Sequence, residues 1–225
     1  MTMPKCYRCR CQPCECADGI TLYHADCRDV LPLLEPGSVG VIVTDPPYGI
    51  NHPTNYRGRK RDKLAACRNY PPCHGDGEPF DPSAILSFGI PSVLWGANHY
   101  ASRLPDASGW LVWDKERPDD FDQATVELAW TNYVKGARRL RYRWHGMLRD
   151  GHEPLWHPMQ KPAALMKWIL GLRWTPPGTV LDPYAGCGPV GVAAKDFGRR
   201  CIMVEIEEKY CDIAARRLEQ GVLFI

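Results

Sequence analysis

The chain has 225 residues, 44% of them hydrophobic, with 28 basic side chains against 26 acidic ones and a formal net charge of +2. That length fits one domain with a substantial core, and no window approaches the roughly 18 apolar residues of a membrane span or the core of a signal peptide, which excludes membrane-spanning and secreted classes and predicts a cytoplasmic protein. The net charge is too small to argue for a polyanionic partner by itself, so the distribution of charge and motifs carries the functional reading.

At the amino terminus, five of the eleven cysteines (Cys6, Cys9, Cys11, Cys14 and Cys16) fall within eleven residues. In a reducing compartment such clustering argues for metal rather than disulfides. Cys6-x-x-Cys9 and Cys11-x-x-Cys14 both have zinc-ligand spacing, with His24, Cys27 or the Cys67, Cys73 and His74 group as completing ligands. The two pairs follow each other more closely than in a standard finger, and a disordered or simply packed tail competes with zinc.

Short apolar runs at residues 20–24, 39–44, 92–96, 110–113, 126–130, 179–181 and 201–204 predict seven strands. Helical patterns at 163–172 and 190–197 separate the later ones, and another at 207–218 follows the last. This alternation predicts an α/β fold, a sheet with helices on both faces. In such sheets ligands bind beyond the carboxyl ends of the strands, where both Asp45 and Asp182 fall.

The run at 39–44 ends in Asp45-Pro46-Pro47-Tyr48. The prolines donate no backbone hydrogen bond and fix their own φ, so the strand stops and its last carbonyls face outward. A planar group bearing an NH2 could stack on Tyr48 while its hydrogens are accepted by the Asp45 carboxylate and a proline carbonyl; an exocyclic nucleobase amine is such a group. The alternative is a plain strand-terminating turn with a rim aromatic.

Two basic stretches follow. Residues 56–69 carry six basic side chains, among them Arg57, Arg59, Lys60 and Arg61, against the single acid Asp62. Residues 135–149 carry another six, including Arg138, Arg139, Arg141 and Arg143, with no acid. Interleaved with Tyr56, Tyr142, Trp144 and His145, they suit a phosphate backbone with bases stacked beside it, or else form solvated loops.

Near the end, Asp182-Pro-Tyr184-Ala-Gly186-Cys187-Gly188-Pro-Val-Gly191 runs from a strand through a glycine turn into a helix. The glycines admit a ligand close to the backbone and the helix offers unpaired N–H groups. Glu205, 23 residues after Asp182 at the end of the next strand, has the spacing of an acid that grips a ribose hydroxyl in nucleoside-binding folds.

Together these residues resemble the amino-methylating DNA methyltransferases of the β permutation class, in which the catalytic motif precedes the cofactor motif. Asp45-Pro46-Pro47-Tyr48 resembles their catalytic tetrapeptide and Asp182 to Gly191 their S-adenosylmethionine loop. His157-Pro158-Met159-Gln160-Lys161-Pro162 is similar to the landmark beside the cofactor's methionine end, and Leu22 to Leu31, with Asp26, to the segment near its adenine. The loop departs from the family pattern at Tyr184, Cys187 and Pro189, where phenylalanine, serine and threonine are usual. The resemblance implies a Rossmann-like fold with a mixed seven-stranded sheet and circularly permuted motif order, residues 20–225 forming the catalytic domain with DNA-contacting insertions near 49–80 and 132–156 and residues 1–19 a cysteine-rich tail.

It further implies methyl transfer from S-adenosylmethionine to an exocyclic amine in double-stranded DNA, adenine N6 ahead of cytosine N4, as in restriction–modification, with a homodimer as the expected assembly. Asp45, Pro46, Pro47 and Tyr48 are then catalytic, and Asp26, Asp45, Gln160, Lys161, Pro162, Asp182, Tyr184, Gly186, Cys187, Gly188 and Glu205 hold the cofactor. No metal enters this chemistry. A carbon-5 cytosine methyltransferase would need a nucleophilic cysteine; Pro13-Cys14 and Pro72-Cys73 exist, but neither ends a strand and both precede the cofactor loop. An RNA or protein-glutamine methyltransferase, and a catalytically inactive DNA-binding protein, are the remaining readings.

Overall fold

The computed structural model describes residues 2–52, 72–118, 124–145, 148–156 and 159–220. Among them, the main sheet has eight strands: β1 (Ile20–His24), β2 (Val41–Thr44), β3 (Ser92–Trp95), β4 (Gly109–Asp114), β5 (Val126–Thr131), β6 (Gly136–Arg141), β9 (Val180–Asp182) and β10 (Cys201–Glu205). Strands β7 (Trp144–His145) and β8 (Leu148–Arg149) form a separate two-stranded ribbon. The helices are α1 (Cys27–Val30), α2 (Ser83–Leu86), α3 (Ala163–Leu170), α4 (Pro189–Asp196) and α5 (Glu208–Glu219).

The spatial order is β1-β10-β9-β2-β3-β5-β4-β6. Only β5 runs against its neighbours, antiparallel to both β3 and β4; the other adjacent pairs are parallel. All seven predicted strands are present, but the sheet has eight strands rather than seven. The additional one, β6, pairs in parallel with β4 over six residues, from Gly109↔Gly136 to Asp114↔Arg141. It is an arginine-rich edge strand, exposed along much of its length, so it lacks the apolar run by which the others were legible.

Each central strand feeds two cores. Val41 and Val43 pack on one side of β2 and Ile42 on the other, and Val93 and Trp95 oppose Leu94 in β3 in the same way. Strands covered on both faces read as continuous apolar runs for this reason. The first core is closed by α3, α4 and α5; α5 buries Cys211, Ala214 and Leu218, spaced by three and four residues along one stripe. The second is closed by α1 and α2 through Val30 and Ile85.

Because β5 is reversed, one edge of the sheet gathers the ends of seven strands and the beginning of another. Asp26 lies just past β1, Asp45 past β2, Gly96 past β3, Asp114 at the end of β4, Arg141 at the end of β6, Asp182 at the end of β9 and Glu205 at the end of β10. Glu127, near the start of β5, pairs with Trp113 and so joins the same edge.

Candidate active site

Asp45 follows the last residue of β2 and its two carboxylate oxygens are held separately. Oδ1 accepts from the Tyr48 hydroxyl at 2.5 Å and Oδ2 from Lys161 Nζ at 2.8 Å. Lys161, 3% exposed, also donates to the Tyr48 oxygen at 2.9 Å and pairs with Glu127 at 3.0 Å. Lys115 pairs with the other oxygen of Glu127. Two acids and two lysines thus alternate along one buried line, which leaves it neutral.

The two acids differ in what surrounds them. Burial opposes the Glu127 charge, but Lys161 and Lys115 outweigh it and hold the carboxyl at about 2. Asp45 has Lys161 and the facing charge of Glu127, so burial wins and its carboxyl is raised above the ordinary range. Burial disfavours the Lys161 ammonium too, yet its two carboxylates keep it charged and raise its pKa.

The backbone after the tetrapeptide is clamped by Asp76. One of its oxygens accepts from the N–H groups of Tyr48, Gly49 and Ile50, the other from His52 N–H at 2.6 Å. The Tyr48 ring stacks on His99, centroids 5.1 Å apart and planes 14° from parallel. Gly96, at φ +69°, lies so close that a Cβ there would sit 2.0 Å from Tyr48 Cε1, so only glycine leaves room for the ring.

The second loop starts at β9. Asp182, 2% exposed, accepts from the Thr44 hydroxyl at 2.7 Å and from Tyr184 N–H at 3.2 Å, and burial pushes its carboxyl up to about 7. Glu205 accepts from Gly186 N–H at 2.7 Å and Glu207 N–H at 2.8 Å, which ties the glycine turn to the next strand. Gly186 has φ +52° with no atom within 4 Å of a Cβ position, so its backbone is open to a ligand. Gly188 is the left-handed N-cap of α4 and Pro189 its first residue, where a missing N–H costs no helical bond.

Both loops line one cavity of about 530 Å³. Of the residues expected at the cofactor, Asp26, Asp45, Gln160, Lys161, Asp182, Tyr184, Gly186, Cys187 and Glu205 line it, while Pro162 caps α3 and Gly188 caps α4 behind its wall. Several of these side chains have inward partners. Gln160 bonds Glu153, the Pro154 carbonyl and Trp156 N–H; Cys187 Sγ lies 3.1 Å from Arg217 Nη1, and burial pushes that thiol up to about 12. Arg217 in turn pairs with Glu153 at 2.6 Å, and Glu153 accepts from Ala163 N–H, so the start of α3 is fastened to the glycine loop. Asp26 caps α1 and pairs with Arg28 at the rim.

Arg57, Arg59, Lys60 and Arg61 lie outside the described residues, as do His157 and Pro158. The second basic stretch is not free of acids in space. Arg139 and Arg141 both face Asp114, at 3.8 and 3.3 Å, and Arg143 faces Glu116 and Asp150 at 3.8 and 3.4 Å. Arg138 turns to the other face of β6 and lies over the Trp174 ring. Near the amino terminus, Cys6, Cys9, Cys14 and Cys16 converge; Cys11 does not join them, and His24 bonds the Ile206 carbonyl instead.

Sequence reasoning missed Glu127, Lys115, Asp76 and His99. Glu127 and Lys115 had a signal, a charge inside or at the end of an apolar strand. Asp76 and His99 had none, because only the folded chain brings them to Tyr48.

Residues 110–216 match the family model described as DNA methylase, of the N6/N4 methyltransferases. Just under half of the chain is therefore an N6/N4 DNA methylase family domain. It is 25% identical to the type II methyltransferase M2.LlaDCHI of Lactococcus lactis subsp. cremoris, over 92% of each chain. It is 38% identical to the type II methyltransferase M2.DpnII of Streptococcus pneumoniae, over 48% of this chain and 50% of that one. The fold matches the crystal structure of the M1.HpyAVI–SAM complex with a TM-score of 0.55 and 22% identity, over 88% of this chain and 100% of that one.

Proposed function

We propose that this methyltransferase moves the methyl group of S-adenosylmethionine to the exocyclic N6 of adenine in double-stranded DNA. The observation that carries the reading is the single cavity lined both by Asp45, Pro46, Pro47 and Tyr48 and by the glycine loop with Glu205. An amine acceptor and a nucleoside-bearing donor can share it. The donor set fits such a cofactor: an open glycine backbone at Gly186, an acid at the end of β10 and an apolar wall that includes Met166 and Phe80. When bound, S-adenosylmethionine supplies an electrophilic methyl on a sulfonium.

The protein's own residues prepare the nucleophile. An aromatic amine is poorly nucleophilic because its lone pair is delocalised into the ring. Asp45 accepts one N–H hydrogen and the Pro46 carbonyl the other, which favours a pyramidal nitrogen with its lone pair aimed for direct, in-line attack. A carboxylate offers about four acceptor sites, so Asp45 keeps capacity beside Tyr48 and Lys161. Its raised pKa suits it to take the proton that leaves the methylated nitrogen. Tyr48, backed by His99, holds the flipped base by stacking, worth about 1–3 kcal/mol, against an extrusion cost of a few kcal/mol. The preference for adenine rests on Asp-Pro-Pro-Tyr, the form that leans toward N6 within the family. On the same likeness we read the protein as a cytoplasmic homodimer.

Incubation with methyl-labelled S-adenosylmethionine and duplex DNA, followed by nucleoside analysis, tests the reading. Label in N6-methyldeoxyadenosine is the expected result. Label in N4-methyldeoxycytidine would reassign the base, and label in 5-methyldeoxycytidine or none in DNA would overturn the mechanism.

A further inference from the structure

We infer that Cys6, Cys9, Cys14 and Cys16 bind a single zinc ion, and that this tetrathiolate site clamps the amino-terminal segment over the free edge of the main sheet. The four sulfurs all lie within 4.8 Å of one another, with Cys6 and Cys16 at 3.9 Å and Cys9 and Cys14 at 3.8 Å. Tetrahedral zinc with Zn–S bonds of about 2.3 Å sets its ligand sulfurs about 3.8 Å apart. A disulfide would bring a pair to about 2.05 Å, and all four thiols are free. The spacing is therefore that of sulfurs sharing one ion.

Packing does not account for the arrangement. Cys6 is 1% exposed yet belongs to neither hydrophobic core, and the other three are only half-buried. Thiols are weak hydrogen-bonding groups, so four of them gain little by meeting each other. The sequence pairs differ from the expected ones: Cys6-x-x-Cys9 joins Cys14-x-Cys16, and Cys11 turns its thiol to the Cys9 carbonyl. The chain reverses between the pairs through Arg10, at φ 61°, with Arg10 N–H donating to the Cys6 carbonyl and Cys6 N–H to that of Cys11. Glu15 N–H points at Cys9 Sγ, the kind of outer contact that orients a metal's ligand. An all-sulfur, tetrahedral, mononuclear set selects zinc over the hard cations that prefer oxygen.

What the ion would hold is evident from the residues between the ligands. Tyr7 N–H donates to the Leu22 carbonyl at 2.6 Å and its hydroxyl to Asp212 on α5 at 2.6 Å; the ring is in the first core. Arg8 donates to both Asp18 oxygens and to the Ile20 carbonyl. Strand β1 has a partner on one side only, β10, and an open strand edge is a template for unwanted pairing. Among the described residues, 2–19 contain no helix or strand to order them, so a metal knot is what fixes Tyr7 and Arg8 on that edge.

The test uses the full chain purified under reducing conditions. Elemental analysis should give one zinc per chain, kept in Cys11→Ser and lost in Cys14→Ser and Cys16→Ser. Replacement by cobalt should give the intense thiolate charge-transfer bands and strong d–d absorption of a tetrahedral site. If the serine variants fail to fold, the zinc content and cobalt spectrum of the unaltered chain decide alone. Removing the metal with a chelator should speed amide exchange in β1 while leaving β3 unchanged. A chain without stoichiometric zinc, iron in its place, or thiols joined as disulfides would overturn the site; unchanged exchange in β1 would overturn the clamp.

Discussion

The loop after β9 is held largely through its backbone: Asp182 caps Tyr184 two residues on, Gly188 N–H bonds Ala185, Gly186 N–H reaches Glu205 across 19 residues and the Cys187 carbonyl accepts from Arg217 across 30, while the Asp182 side chain reaches Thr44 across 138. The loop after β2 is fixed from far away: Asp45 meets Lys161 across 116 residues, and Tyr48 N–H meets Asp76 across 28. The first is a backbone device, glycines and a helix start that any neighbouring strand would present in the same form. The second is a charge network, and it exists only when β2, β5 and the segment before α3 are assembled. A binding loop that needs backbone N–H groups can be encoded locally. A loop that must hold a buried acid in a defined protonation state needs counter-charges, and these come from other elements.

The largest expected effect breaks the β2 loop alone. Asp45→Ala should lower the rate of methyl transfer to DNA roughly 10³-fold, while calorimetry still registers cofactor binding at the intact glycine loop. Retained transfer would remove Asp45 from the chemistry. Next comes the acid of the other loop. With a folded pKa of about 7 against an ordinary 3.8, Asp182 keeps its proton in the native state where the unfolded chain has lost it. Native binding of the extra proton makes stability fall as pH rises from about 4 to about 7, by at most about 4 kcal/mol at 1.36 kcal/mol per pH unit. Asp182→Asn should abolish that component, so urea midpoints of the two proteins, measured without cofactor, should diverge across this window; parallel curves would refute it.

Lys161→Met tests whether the distant network stabilises the fold. It leaves Asp45 and Glu127 without their shared cation, and loss of one partner of a buried pair costs about 3 kcal/mol. Both acids keep about a fifth of their side-chain exposure, 22% and 21%, which places the cost at the low end. Denaturant unfolding should register the loss, and adding Glu127→Gln should recover part of it; a single variant as stable as the parent would dissolve the network argument. The smallest effect is expected at the basic edge. Alanine at Arg141 and Arg143 together should weaken DNA binding equally for all sequences and lower its salt slope by about 1 to 2. Their acidic partners Asp114, Glu116 and Asp150 already offset part of their charge, and an unchanged slope would remove β6 from the interface.

The legibility of the two loops follows the same division. The seven apolar strands, α3 to α5, and the turn at Gly186 to Pro189 could be read directly, because each leaves a pattern within a few residues. Strand β6 could not, because an edge strand of arginines has the composition of a solvated loop. The place of Lys161 was partly legible: its motif was recognised, but not that its ammonium lies on the Asp45 carboxylate. Tyr48 was legible as an aromatic beside an acid, while the hydroxyl bond to Asp45 and the stacking on His99 were not.

By itself, then, the sequence determined the permuted order of motifs, the α/β class and the identity of the acid, the aromatic and the glycine turn, since these are properties of short segments. Tertiary structure alone decided which cysteines converge, that Glu127 and Lys115 complete the line behind Asp45, and that the basic stretch carries its own acids. The physical reason is range: strand and turn signals act over a few bonds, whereas charge compensation and sulfur convergence depend on distances that the chain sets only after it has folded.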